Sequence, residues 1–303
     1  EKSVGRNSQY ARLKENRDRC REALSQSVEQ SKEVHIPDNK KNMAGLELSR
    51  KYYETYGKPA LEKAFAPYLS RIAVGLVGEG SDCFGYDDEA SMDHDWGPGF
   101  CIWVTEETYG EIGEQLEEMY AGLSAEFGGY KRTVSAQGEG RLGVQTISAF
   151  YRRLLGAADY ESINWQTVED YGLATAVNGE VFADGEGIFT AFREKLKAGY
   201  PERIQYLKIA EDAAKFAQTG EYNYKRMLER GDRLTADRML SESLGHAMRL
   251  MHHMRNGYPP HDKWLYRSCT ELENAEAAQQ TEITGLLRAV HACLKEDDRT
   301  ALA

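Results

Sequence analysis

The sequence predicts an α+β protein in which a small mixed β-sheet domain is followed by an α-helical bundle. Three observations carry this. Short apolar runs with β-branched residues recur through the first two thirds of the chain, the first of them ending in the turn Gly78-Glu79-Gly80-Ser81, and an amphipathic helical pattern lies among them. From Tyr200-Pro201 onward the hydrophobic period becomes helical and stays so. At 303 residues the chain is twice the ~150 at which one domain commonly becomes two. The expected organisation is a helical extension and linker over 1–43, the sheet domain over 44–199 and the bundle over 200–303.

Taken in order, Tyr10, Leu13, Cys20, Leu24 and Val28 form a thin apolar stripe at helical spacing, closed by Ile36-Pro37-Asp38-Asn39. This segment reads either as a solvated helix or as a helix for a partner or for self-association. A helical stretch from Leu46 is expected to break at Gly57-Lys58-Pro59 and resume through Leu61 and Phe65. Ile72 to Val77 is the first strand, leaving into the turn Gly78-Glu79-Gly80-Ser81, and Phe100 to Val104 is the second. Thr105 caps a helix whose first turn holds Glu106 and Glu107, with a stop expected at Gly128-Gly129. Leu142 to Ile147 and Gly179 to Asp184 supply two further strands. In the second half, Ile204, Leu207, Ala210, Ala214 and Ala217 precede an expected stop at Gly220. A longer pattern from Met227 to Met254 ends at Asn256-Gly257, and a last helix carries Ile283, Leu286, Leu287, Val290 and Leu294. The methionines in these stripes read as core filling.

Composition narrows the function classes. With 38 Lys plus Arg against 49 Asp plus Glu the formal net charge is −11, so no global positive field exists to hold a nucleic-acid backbone or an anionic membrane. A nucleic-acid partner would need a local basic face, for which Lys225, Arg226, Arg230, Arg233 and Arg238 are the candidates. No run approaches the ~18 apolar residues of a spanning helix. Five scattered cysteines without a C-x-x-C pair read as reduced thiols of a cytoplasmic protein. The chain begins at Glu1 without methionine, so a removed leader stays open.

The segment from Gly78 to Trp96 carries the specific signal. Gly80-Ser81 follows a strand, and Asp93-His94-Asp95 comes twelve residues after the serine. Were residues 93–95 extended, alternation would put Asp93 and Asp95 on one face of a strand edge, with His94 on the other. Two carboxylates sharing a face repel, and a divalent cation bridging them removes that cost; hard oxygen donors suit Mg²⁺ or Mn²⁺. Glycines at 78 and 80 would let a phosphate approach backbone amides, and the Ser81 hydroxyl can donate to a phosphate oxygen. The bland alternative is an acidic loop without metal, or a calcium-like turn, although the alternating ligand series of a calcium loop is missing. His252, His253 and His261 lack the i, i+4 spacing of a zinc pair.

A strand ending in Gly-Ser, a loop of about ten residues and an Asp-x-Asp pair together resemble the signature of the polymerase-β-like nucleotidyltransferase superfamily. The wording of Gly78 to Gly85, of Asp93-His94-Asp95-Trp96-Gly97-Pro98-Gly99-Phe100, of Asn178 to Phe182 and of Tyr222-Asn223-Tyr224 resembles a bacterial branch catalogued as a domain of unknown function, over roughly 44–270. The resemblance implies a small mixed-sheet domain followed by a helical one. It implies that Gly80 and Ser81 hold a nucleoside triphosphate and that Asp93 and Asp95, the catalytic pair, bind Mg²⁺ (or Mn²⁺). The triphosphate would also need cations, for which Lys131-Arg132, Lys225, Arg226 and Lys263 are the candidates. The superfamily's third carboxylate falls on the strand Gly143 to Ile147, where this chain offers Gln145. A general base would then come from Glu79, Asp88, Glu161, Glu180 or Asp184, or the protein binds nucleotide as a sensing or interaction module without transfer. The expected reaction moves a nucleotidyl group to a hydroxyl or phosphate of an acceptor. The acidic composition favours a small molecule or a protein side chain over a polynucleotide.

Overall fold

Four short strands make one mixed sheet in the order β5-β2-β1-β6, with β1 Ala73–Leu76, β2 Cys101–Val104, β5 Gly143–Thr146 and β6 Glu180–Asp184. A two-stranded ribbon, β3 Glu126–Phe127 and β4 Tyr130–Lys131, stands apart from it. This is a computed structural model, and it describes residues 44–134 and 140–275. The expected helices within 1–43 and around Ile283 to Leu294, together with Cys20 and Cys293, lie outside the described residues.

β1 runs antiparallel to both β2 and β6, and β2 runs parallel to β5. Every residue of β1 and β2 is buried, which is why both read as unbroken apolar runs rather than as alternation. One face, with Ala73, Cys101 and Trp103, packs on Phe150, Tyr151, Leu173, Phe189 and Leu196 from the helices Ile147–Leu155, Asp170–Val177 and Ile188–Lys197. The Trp103 indole lies flat on Phe189, ring centroids 4.0 Å apart. The other face, with Val74, Ile102 and Val104, meets Tyr52, Tyr53, Leu61, Ile112 and Leu116. The sheet is thus covered by helices on both sides, and its loops are free to build a site at one end.

Four strands arise where the apolar runs predicted them, and the mixed α/β class holds. Thr105 caps the Glu106–Ala121 helix as expected, its Oγ1 accepting from the Thr108 amide at 3.2 Å. Four helix boundaries differ, one of them within the pattern from Met227 to Met254, which forms two helices, Lys225–Glu229 and Arg233–Met254, parted at Gly231 with φ of 74°. The helix does not break at Gly57; a π-turn, Tyr53–Gly57, carries it into Lys58–Ala64, and the missing Gly57 side chain leaves room for the Phe100 ring. The Glu106–Ala121 helix ends at Gly122, while Gly128 and Gly129, with φ of 61° and 84°, form the β3–β4 turn. Gly220 does not stop its helix either. A π-helix, Ala217–Tyr224, runs through it, because a side chain there would strike Ser243, whose hydroxyl donates to the Phe216 carbonyl at 3.1 Å.

Backbone contacts divide the described residues into two compact units, 44–207 with 252–264, and 208–251 with 265–275. The first holds both sheets. The second is helical, with a small core of Tyr224, Ala236 and Leu240 flanked by Met227, Leu228 and Met239, so these two methionines pack on core as their spacing predicts, whereas Met254, the last of that stripe, is exposed. No helix among the described residues is long and apolar enough to cross a membrane.

Candidate functional site

Chain leaving β1 turns through two glycines in conformations that side chains rarely adopt, Gly78 at φ 130° and Gly80 at φ 129°. The Asn178 side chain braces the first of these. Its Oδ1 accepts from the Gly78 amide at 3.0 Å and its Nδ2 donates to the Gly78 carbonyl at 2.8 Å. Gly179 follows so close to the Leu76 carbonyl that any side chain would collide with it. Ser81 then opens the four-residue helix Ser81–Phe84, which Gly85 ends in the left-handed region.

The second loop is built differently from its expected form. Asp88 caps the 3-10 turn Glu89–Met92, its Oδ1 taking both the amide and the hydroxyl of Ser91. Asp93, His94 and Asp95 follow in a bend, not on a strand edge. Asp95 sits at φ 51° and Gly97 at φ 123°, and Pro98 has no N–H to give a ladder, so extended alternation cannot run through these residues. Pairing on β2 begins only at Cys101, opposite Gly75. Asp93 turns to its neighbour, its carboxylate 2.6 Å from His94 Nδ1. Trp96, buried and donating from Nε1 to Asp87 Oδ2 at 3.1 Å, anchors the loop's far end.

Arg141 joins the two loops. Its guanidinium, buried with only 8% of the side chain exposed, donates to the carbonyls of Glu79 and Asp95 and to the carboxylate of Asp82, which is buried as deeply. Its charge therefore ties the Gly-Ser turn to the Asp-x-Asp bend in a single fixed frame. Gly80 is required here too, because a side chain at that position would strike the guanidinium. Sequence reading missed Arg141. The available signal was a buried acid at Asp82 awaiting a cation, but nothing local says which arginine supplies it.

Gly80, Ser81, Asp93, Asp95 and Lys263 are brought together in one cleft of about 430 Å³, also lined by Glu79, Asp88, Ser91, His94, Arg141 and Trp264. That volume lies within the ~300–1,000 Å³ usual for small-molecule sites. Two other cations expected from the sequence, on β4 and just after it, do not line the cleft. Lys131 sits on β4 and is not among the lining residues; Arg132 donates to the Pro98 carbonyl at 2.7 Å and to the Tyr52 hydroxyl at 3.0 Å. Lys225 and Arg226 belong to the helical unit, where the Arg226 guanidinium lies 4.7 Å from the centre of the Tyr222 ring.

Of the five candidate bases, Glu79 and Asp88 line the cleft. Glu161 pairs with Lys195 at 2.8 Å, Glu180 pairs with Arg50, and Asp184 accepts from the amides of Gly187 and Thr190. Gln145 stands in register with Trp103 on β2, does not line the cleft, and has its amide nitrogen buried without a hydrogen-bond partner. The nearby thiols are packing groups: burial pushes Cys83 well up and Cys101 up to about 12, out of the range of a nucleophile at neutral pH.

A family described as Domain of unknown function (DUF4037) matches residues 165–265. The match takes in Asn178 and Gly179, which brace the turn, and Lys263 and Trp264 of the cleft. A crystal structure of a nucleotidyltransferase-like protein from Exiguobacterium sibiricum 255-15 is similar at 12% identity with a TM-score of 0.33, covering 78% of this chain and 75% of that one. No curated protein matches.

The donor set at the cleft is compatible with a hard divalent cation. Among the described residues no group of three or more His, Cys, Asp or Glu is placed to hold a metal. Asp93 and Asp95 therefore offer one or two carboxylates, and phosphate oxygens and water would complete the shell, as is usual for Mg²⁺. Charge gives the same result. Glu79, Asp82, Asp88, Asp93 and Asp95 lie at or against the cleft with Arg141, Lys263 and Arg153, which pairs with Glu79, so the acids outnumber the cations and a polyphosphate would be repelled unless a divalent cation accompanied it.

Proposed function

We propose that this cleft binds a nucleoside triphosphate with Mg²⁺ (or Mn²⁺) and transfers its nucleotidyl group to a hydroxyl or phosphate of an acceptor. The observation that carries the reading is the meeting of Gly80-Ser81 and Asp93-x-Asp95 in one cleft, from two loops that Arg141 holds together. Asp93 and Asp95 would hold the cation, which when bound neutralises phosphate charge and polarises the attacked phosphorus. Ser81 donates its hydroxyl to a phosphate oxygen, and Lys263 meets the remaining negative charge. Asp88 spends Oδ1 on its cap and keeps Oδ2 for the proton of the attacking hydroxyl, attack at the α-phosphorus releasing pyrophosphate. The carboxylates of the cleft and the net charge of −11 favour a small-molecule or protein acceptor over a polyanionic one.

A second reading is nucleotide binding without transfer, in a regulatory or interaction module. Gln145, an amide on the strand where a third carboxylate is expected, favours it. One experiment separates the two. ATP, GTP, CTP and UTP are titrated calorimetrically with Mg²⁺ or Mn²⁺ into the wild type and into Asp93→Asn/Asp95→Asn, with pyrophosphate measured in parallel. Cation-dependent binding that is lost in the double variant supports the site, and pyrophosphate release then distinguishes transfer from sensing. Binding of equal strength in the variant refutes both readings.

A further inference from the structure

Trp264 lines the cleft next to Lys263. It is half-buried, and its position is set on both sides. Pro259 and Pro260, both buried, lead into the Asp262–Ala275 helix, and the Trp264 amide donates to the His261 carbonyl at 2.8 Å in the first turn. Behind it, the Tyr86 ring packs at a centroid distance of 5.3 Å and is in turn stacked on Phe84 at 5.8 Å. Tyr86 is 5% exposed and follows directly on the Ser81–Phe84 helix and Gly85, so the indole is braced against the same segment that opens with Ser81. The Lys263 ammonium lies 5.4 Å from the centre of the Trp264 ring. The acidic cleft thus presents one braced aromatic surface, over which the Lys263 ammonium lies.

Building on the nucleotide reading, we infer that Trp264 is the platform on which the nucleobase stacks, and that Lys263 takes the phosphates of the same molecule. Stacking suits this place because the acidic lining gives a base few cationic contacts, while an aromatic ring offers a π-face to any base. It follows that the site discriminates weakly among ATP, GTP, CTP and UTP, since a π-face reads no hydrogen-bonding edge.

The test compares Mg²⁺-ATP with Mg²⁺-tripolyphosphate, which has the phosphates but no base, by calorimetric titration into the full chain. The variants are Trp264→Ala, Trp264→Phe and Lys263→Gln. Trp264→Ala is expected to weaken ATP by about 5- to 150-fold, the span of base–aromatic stacking, and to leave tripolyphosphate affinity unchanged. Retained tripolyphosphate binding also shows that the variant is folded. Trp264→Phe keeps most of the ATP affinity, and Lys263→Gln weakens both ligands together. If the wild type binds ATP and Trp264→Ala binds it equally well, the base lies elsewhere and the platform is refuted while the nucleotide reading stands. Equal wild-type affinity for ATP and tripolyphosphate refutes the platform and leaves a polyphosphate site. Failure of the wild type to bind either ligand removes the nucleotide reading and the platform with it.

Discussion

Replacing Arg141 by methionine removes a guanidinium from a place that water scarcely reaches. Its side chain is 8% exposed and that of its partner Asp82 is 3% exposed, so the variant strands a buried carboxylate beside two carbonyls, of Glu79 and Asp95, that lose their donor. Breaking a buried pair from one side costs about 3–5 kcal/mol, mostly the penalty of the orphaned charge. The figure counts the stranded carboxylate alone and leaves out the two carbonyls. Urea denaturation followed by tryptophan fluorescence reads the unit concerned, since all four tryptophans, at 96, 103, 165 and 264, belong to it. At an m-value of ~2 kcal/mol/M, a loss of ~4 kcal/mol lowers the midpoint by ~2 M. Adding Asp82→Asn to Arg141→Met removes the stranded charge and keeps an acceptor for the Cys83 amide, which Asp82 serves at 2.9 Å; this second change should recover ~2 kcal/mol. Arg141→Lys keeps the charge but cannot span three partners with one planar fork, so it falls between the wild type and Arg141→Met. A loss below ~1 kcal/mol in Arg141→Met, or no recovery in the double variant, would refute the clamp as the element joining the two loops.

Other outcomes follow from the same contacts. Gly179→Ala adds left-handed strain at φ 60° to a collision with the Leu76 carbonyl, and should lose more than ~2 kcal/mol in the same urea assay. Gly187→Ala, at φ 71° with open space around it, should lose only the strain of ~1 kcal/mol; equal losses in the two would show that the contact with β1 is unimportant. Burial, with His253 and Arg255 adding to it, lowers His252 from 6.5 to about 4, so the unfolded chain binds the extra proton between those values. The stability from this group is full above pH 6.5 and falls by ~1.4 kcal/mol per unit toward pH 4, roughly 3 kcal/mol in all. His252→Gln should flatten that part of the pH–stability curve, and an unchanged slope in urea titrations at pH 7, 6 and 5 would contradict it. Asn178→Ala removes both hydrogen bonds to Gly78 and should weaken Mg²⁺-ATP binding in calorimetry, with stability changed by ~1–2 kcal/mol.

The sequence by itself determined the two central strands, because a strand buried on both faces must be a short apolar run, and the runs at 73–76 and 101–104 admit little else; the half-buried strands at 143–146 and 180–184 carry a weaker form of the same signal. It also singled out the two loops that meet in the cleft, through the glycines at 78 and 80 and the concentration of acids before Trp96. Tertiary structure decided the rest. Helix boundaries at Gly57 and Gly220 went against local propensity because the Phe100 ring and Ser243 occupy the space that a side chain would need. Alternation along a strand failed for Asp93 and Asp95, since the rule presumes extended backbone and Asp95 is left-handed. Arg141 left no trace in any local pattern, because its partners lie 46 to 62 residues away. Local chemistry can mark residues able to hold a phosphate or a cation, but only the packed sheet decides which of them share a cleft. Lys263 and Trp264 reach it, and Lys131 does not line it.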